Sequence, residues 1–181
     1  MLLAACYVGF FGFLTGGEFT VNSPFDPSLH LTLANIQVDA HLNPQRVRTF
    51  IKCSKTDGET LCFVFLGRGS APLCAVVSLG NYLHLHGLKP GSLFPYQDGT
   101  PLFRSKLSAF LKSTVKSAGV PENFSGHIFR SGAATTAASQ GIPDHLKTMG
   151  CWSSKVYLLY VRTPDSRTTR LAGKALIYPF V

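Results

Sequence analysis

The amino-acid sequence predicts an α+β fold that is mostly helical, with a small three-stranded antiparallel sheet near its N-terminal half. Three observations predict it. Of 181 residues, 45% are hydrophobic and 14% charged, enough for one packed core and too apolar for a disordered chain or a coiled coil. Between residues 31 and 66 lie three short runs rich in β-branched, aromatic and leucine residues. From residue 73 onward, apolar residues recur at helical spacing, and Gly and Pro fall where helices start or stop.

The elements follow in order. Residues 3–14 are apolar and predict a buried first helix that stops at Gly16-Gly17. No Lys or Arg precedes this run and no clear small-residue cleavage site follows it, unlike a signal peptide. It is also shorter than the ~20 residues that span a bilayer. Ser23-Pro24-Phe25-Asp26-Pro27 is a loop. Strands are expected at 31–38, 47–54 and 61–66, the last two joined by a tight turn at Asp57-Gly58, where glycine accepts positive φ without steric cost.

Residues 73–88 predict a structural helix, on which His84 and His86, two apart, diverge and make no metal pair. In the next helix, 102–115, Phe103, Leu107, Phe110, Leu111 and Val115 form an apolar stripe, while Lys106, Lys112 and Lys116 sit largely away from it. A helix from His127 to Gly141 carries small residues suited to close packing; further helices are expected from Pro143 to Gly150 and over 153–162. No repeat or long linker divides the chain, so 1–181 reads as one domain, with a core over about 3–165 and a tail at 166–181.

Charge is unevenly placed. Residues 1–100 carry 6 basic and 6 acidic side chains, whereas 101–181 carry 11 basic and 3 acidic, so the whole net charge of +8 is C-terminal. A basic half of this kind predicts a polyanionic partner, most often nucleic acid. Five cysteines without a CxxC pair predict neither a disulfide framework nor a zinc site, and favour a reducing compartment.

The segment with most chemical content is His127-Ile-Phe-Arg130, then Gly150-Cys151-Trp152, then Tyr157-Leu-Leu-Tyr160-Val-Arg162. HxxR alone carries little weight. The ordered set resembles the catalytic domain of tyrosine recombinases, the phage-integrase family, in which HxxR is followed by Gly-His or Gly-x-Trp and then by a nucleophilic tyrosine. The gaps of 22 residues from Arg130 to Trp152 and 8 from Trp152 to Tyr160 fit that pattern. With Ser54-Lys55-Thr56-Asp57 and Phe11-Gly12-Phe13-Leu14-x-x-x-Glu18, it is most similar to recombinases of eukaryotic mobile elements of the crypton or DIRS-like kind, over roughly residues 3–165.

The resemblance implies DNA strand cleavage and rejoining through a 3′-phosphotyrosyl intermediate on double-stranded DNA, with no cofactor and no metal. It also implies a possible homo-oligomer on DNA, a nuclear location and no membrane association. Tyr160 is the implied nucleophile, since a phenol is both a fair nucleophile and a fair leaving group. Arg130 would clamp the non-bridging oxygens through paired hydrogen bonds. His127, one turn away, can donate to the same oxygens or carry the phenol proton. Lys55, at a hairpin tip, would protonate the departing 5′ oxygen, and Trp152 would pack at the phosphate and donate its indole N–H. Arg104, Lys106, Lys112, Lys116, Lys147, Lys155 and Arg162 are candidate DNA contacts. Singly, each of these residues also fits a structural role: packed aromatics, a helix-start histidine, solvated cations. Their order and spacing together favour the catalytic set.

The pattern breaks at one position. The family's first catalytic arginine falls three residues before Glu18, on Thr15, and the first Lys or Arg in the sequence is Arg46. Loss of a preorganised donor costs on the order of 10²–10³ in rate. Glu18, which supports that arginine in the family, is expected to stand without its partner. Too few residues precede Thr15 for the N-terminal core-binding domain usual in these enzymes, which is expected to be absent. Two readings follow: an impaired recombinase, or a catalytically inactive, mobile-element-derived remnant that binds DNA or protein.

Overall fold

The computed structural model of the protein describes residues 1–40, 42–52, 62–70, 73–87, 90–119 and 127–140, together with Leu159 and Val161. Its elements run α1 (Leu2–Phe11), α2 (Gly16–Phe19), β1 (Ile36–Val38), β2 (Arg46–Ile51), β3 (Cys62–Gly67), α3 (Ala75–His86), α4 (Arg104–Ser117) and α5 (Ile128–Ser139). A short 3-10 helix at Leu33–Asn35 leads into β1. The expected mixed fold, mostly helical with one small antiparallel sheet, is what the chain adopts.

The first helix ends earlier than its apolar run. Phe13 N–H donates to the Phe10 carbonyl (3.1 Å) and Leu14 N–H to the Gly9 carbonyl (2.8 Å), the pair of bonds that closes a helix around a left-handed residue. That residue is Phe13, at φ 55°, in a place usually held by glycine. Its ring is buried against Ala133, Ala134 and Ala137 of α5, and this contact holds the backbone in its strained state. Gly16 and Gly17 therefore do not stop α1; they open α2, with Thr15 as N-cap. The buried side of α1 is Ala4, Ala5, Val8 and Gly9, while Leu3 and Phe11 remain exposed. A Cβ on Gly9 would come within 2.7 Å of the buried Phe19 ring, so glycine sets how closely α1 approaches α2. Helix α1 also packs on α3 and α5.

The sheet has strand order β1-β2-β3, with Thr49 opposite both Ile36 and Val64. The first strand is shorter than expected because Asn35 Oδ1 accepts the N–H (2.9 Å) and hydroxyl (2.8 Å) of Thr32, turning residues 32–35 out of the ladder. Val47, Thr49 and Ile51, with Cys62, Val64 and Leu66, form the buried face. Arg46, Arg48, Phe50, Phe63 and Phe65 alternate onto the other face. Cys62 is disulfide-bonded, against the expectation of none; an odd cysteine count does not forbid a single bridge. Cys6 and Cys74 are free thiols, and burial pushes that of Cys6 up to about 11. The Asp57-Gly58 turn lies outside the described residues.

Helix α3 packs on β3 and on α1, with Val76 and Leu79 buried. His86 Nδ1 lies 3.1 Å from the Tyr82 carbonyl, and among the described residues no three His, Cys, Asp or Glu side chains gather as metal ligands. An extended segment then crosses the core: Leu102 N–H donates to the Phe94 carbonyl, Val21 N–H to that of Leu102 and Arg104 N–H to that of Val21. Both Phe94 and Leu102 are fully buried, so α2 and the start of α4 are tied together through the middle of the molecule. Of the stripe expected on α4, only Leu107 is buried and Phe110 stands partly exposed. The helices expected from Pro143 and over 153–162 fall outside the described residues, apart from Leu159 and Val161. No described helix is long and apolar enough to cross a membrane.

Candidate active site

The site is built around Arg130, in the first turn of α5 and only 6% exposed. A guanidinium cannot lose its charge, so its burial requires acceptors in place. Two local structures supply them. The left-handed cap of α1 turns the Phe13 carbonyl toward α5, where it accepts from Arg130 Nε at 2.7 Å. The short helix α2 presents Glu18, whose Oε1 and Oε2 accept from Arg130 Nη2 at 2.8 and 2.7 Å. The two side chains are 7% and 6% exposed.

Glu18 is itself held from behind. Its Oε2 accepts the N–H of Thr15 at 2.6 Å and the Thr15 hydroxyl at 3.0 Å, the reach-back arm of a capping box. The expectation that Glu18 lacks a partner is therefore corrected. With threonine rather than a cation at position 15, a carboxylate this deeply buried needs another positive charge, and Arg130 supplies it. Arg130 is equally not the surface ion that its sequence context allowed. The contribution of the Phe13 carbonyl has no signal in the sequence, because it depends on a backbone state that tertiary contacts impose.

No protein-family model matches the chain. No curated protein matches it either. Solved structures do. The chain superposes on "XerA recombinase" with a TM-score of 0.68 at 16% identity, over 99% of this chain and 57% of that one. It matches the "XerH site-specific recombinase bound to palindromic difH substrate: post-cleavage complex" at 0.62 and 17%, over 95% of this chain and 44% of that one. The "Tn1549 transposon Integrase" in complex with circular intermediate DNA follows at 0.52 and 13%, over 94% and 56%. The fold is that of a tyrosine-recombinase catalytic domain. This chain spans about half the length of the structures it matches.

Within the tyrosine-recombinase fold, His127 is the N-cap of α5, half-buried, with its carbonyl accepting from Ser131 N–H at 2.8 Å. It thus sits one turn ahead of Arg130, as expected. Lys55, Trp152, Tyr160, Lys147, Lys155 and Arg162 lie outside the described residues. The described neighbours of position 160 differ sharply: Leu159 is exposed, whereas Val161 packs on the cluster of Phe13, Ala133, Ala134 and Ala137. That cluster adjoins Arg130 along α5 and shares Phe13 with it.

Arg104 opens α4 and lines a shallow hollow with Asn22, Ser105 and Ser108, next to the segment that follows α2. Lys106, Lys112 and Lys116 are exposed along α4. Among the described residues these four cations form no ion pair, since Arg130 with Glu18 is the pair found there. They make a stretch of unneutralised positive charge leading away from the end of α4 that meets α2.

Proposed function

We propose that this protein is a tyrosine recombinase catalytic domain that cleaves and rejoins double-stranded DNA through a covalent bond to Tyr160. The observation that carries the reading is the burial of the HxxR arginine in a cradle adjoining Val161, on a fold shared with recombinases. Two of those, the XerH complexes, are described as pre- and post-cleavage states on their DNA substrate. The basic C-terminal half and the cations of α4 support a duplex partner.

In this scheme the Tyr160 phenol gives its proton to His127 and attacks a backbone phosphorus, the 5′ oxygen leaves with a proton from Lys55, and a 3′-phosphotyrosyl bond forms. The new ester retains the energy of the phosphodiester, so a 5′ hydroxyl reverses the step and no energy-supplying cofactor is required. Arg130 and His127 stabilise charge on the non-bridging oxygens, with Trp152 beside them. Arg104, Lys106, Lys112, Lys116, Lys147, Lys155 and Arg162 contact phosphates, and assembly on DNA as a homo-oligomer completes the arrangement.

Activity in this reading is slow. Two donors of Arg130 are engaged by Glu18 and Phe13, and Thr15 offers no second guanidinium, a deficit on the order of 10²–10³ in rate. The same engagement favours a second reading, an inactive remnant that binds DNA or protein. An origin in a eukaryotic mobile element and a nuclear location belong to the proposal, supported by the segments around Glu18 and Lys55. Incubation of nicked duplex with wild type and Tyr160→Phe, followed by denaturing electrophoresis, separates the readings. A slow adduct that Tyr160→Phe abolishes supports the enzyme; salt-sensitive duplex binding without any adduct supports the remnant.

A further inference from the structure

The outer face of the sheet carries a set of residues that the cleavage scheme does not use. Strand alternation brings Arg46, Arg48 and Phe50 of β2 to one side together with Phe63 and Phe65 of β3. Arg48 stands directly opposite Phe65, and Phe50 opposite Phe63. The Arg48 guanidinium lies over the Phe63 ring, its Cζ 3.6 Å from the ring centroid, and 5.9 Å from that of Phe65. Phe50 and Phe63 are tilted against each other with centroids 5.3 Å apart. Phe65 is 56% exposed, unusual for a phenylalanine in mid-strand.

Two features say what this face accepts. Arg48 meets no carboxylate among the described residues, and its buried Nε has no hydrogen-bond partner there; what its charge meets among them is ring faces. Asp39, at the start of the turn into β2, is occupied: its Oδ1 accepts the backbone N–H of Gln45 and of Arg46. The face is thus positive, flat and aromatic. Flat aromatic rings stack unpaired bases, and cations beside them take the phosphates, whereas bases inside a duplex have no face to offer. An acidic protein segment would satisfy the arginines but leave Phe65 without a flat partner.

We propose that the outer sheet face, with Phe65 as stacking platform and Arg48 and Arg46 as phosphate contacts, binds single-stranded nucleic acid. None of these residues belongs to the Arg130 cradle, and the inference stands whether or not the chain cleaves DNA.

The test uses the full chain and a fluorescent oligothymidylate of about 15 nucleotides, with excess unlabelled duplex present, read by anisotropy. Wild type binds, Phe65→Ala weakens binding by about fivefold or more, and Arg48→Gln weakens it while lowering the salt slope by about 0.7. Both variants keep the duplex affinity and the melting temperature of wild type; because Phe65 is largely exposed, its variant remains informative if Arg48→Gln unfolds. Absence of oligothymidylate binding, its complete displacement by duplex, or equal binding by Phe65→Ala overturns the proposal. So does a dimer in sedimentation that Phe65→Ala dissociates without any oligonucleotide binding, which assigns the face to a second copy. A missing phosphotyrosyl adduct bears on the recombinase reading alone.

Discussion

Arg130 and Glu18, 112 positions apart in sequence, form a buried ion pair in which one guanidinium nitrogen meets both carboxylate oxygens at 2.7–2.8 Å. Thr15 holds the same carboxylate from the other side. The group best suited to clamp a phosphate is therefore already serving an internal anion, and that anion is fixed by the residue standing where a second arginine is expected.

The pair sets a stability prediction. Glu18→Ala leaves a buried guanidinium without its counter-charge and is expected to cost about 3–5 kcal/mol in urea unfolding. Glu18→Gln keeps an acceptor and costs less. Replacing both partners, Arg130→Met with Glu18→Leu, recovers most of the loss, because two apolar groups of similar size need no compensation. If the double variant is as unstable as Glu18→Ala, the pair is not what makes the single variant costly.

Thr15 makes a smaller, separable contribution. Thr15→Ala removes the N-cap hydroxyl and its bond to Glu18, with an expected loss of about 1 kcal/mol, whereas Thr15→Ser stays within a few tenths. Paired thermal melts of the two variants read the difference directly.

Phe13 reverses an ordinary order of substitution. At most buried sites glycine is the worse replacement, since it adds backbone entropy to the lost side chain. At φ 55° alanine keeps the strain that glycine relieves, so Phe13→Ala should be less stable than Phe13→Gly by about 1 kcal/mol. Both fall below wild type, because the ring buried against Ala133, Ala134 and Ala137 is lost in each. Urea midpoints in the opposite order would show that the left-handed cap relaxes once the ring is removed.

The cations of α4 predict how DNA binding depends on salt. Lys106, Lys112 and Lys116 are exposed and form no ion pair among the described residues. Changing all three to Gln should reduce the slope of log affinity for duplex against log salt by about 2 to 3 units, with no change in melting temperature. An unchanged slope would place the duplex on another face.

Much of this architecture was legible in the sequence, for identifiable reasons. The alternation in Arg46–Ile51 and Cys62–Gly67, and the small residues of Ile128–Ser139, are local patterns that require burial on one side, and the chain obeys them. Three features were not. The end of α1 depends on Phe13 in a state its own chemistry disfavours, held by a helix more than a hundred residues away. The pairing of Glu18 with Arg130 follows from the burial of both, which no spacing encodes. The bridge at Cys62 depends on which thiols the fold brings together. The shortened β1, by contrast, had a readable cause in Thr32 and Asn35, a capping pair inside a strand-like run.

The central claim is that a competent recombinase site is held back at Thr15, and one comparison tests it most directly. Nicked duplex is incubated with wild type, Thr15→Arg and Thr15→Arg/Tyr160→Phe, and protein covalently joined to DNA is scored on a denaturing gel. An arginine at this position, 9% exposed beside Glu18, supplies the missing guanidinium and releases Arg130 toward the phosphate. The account predicts that Thr15→Arg forms the adduct on the order of 10² faster than wild type and that the added Tyr160→Phe abolishes it. No adduct from Thr15→Arg, or an adduct no faster than that of wild type, contradicts it.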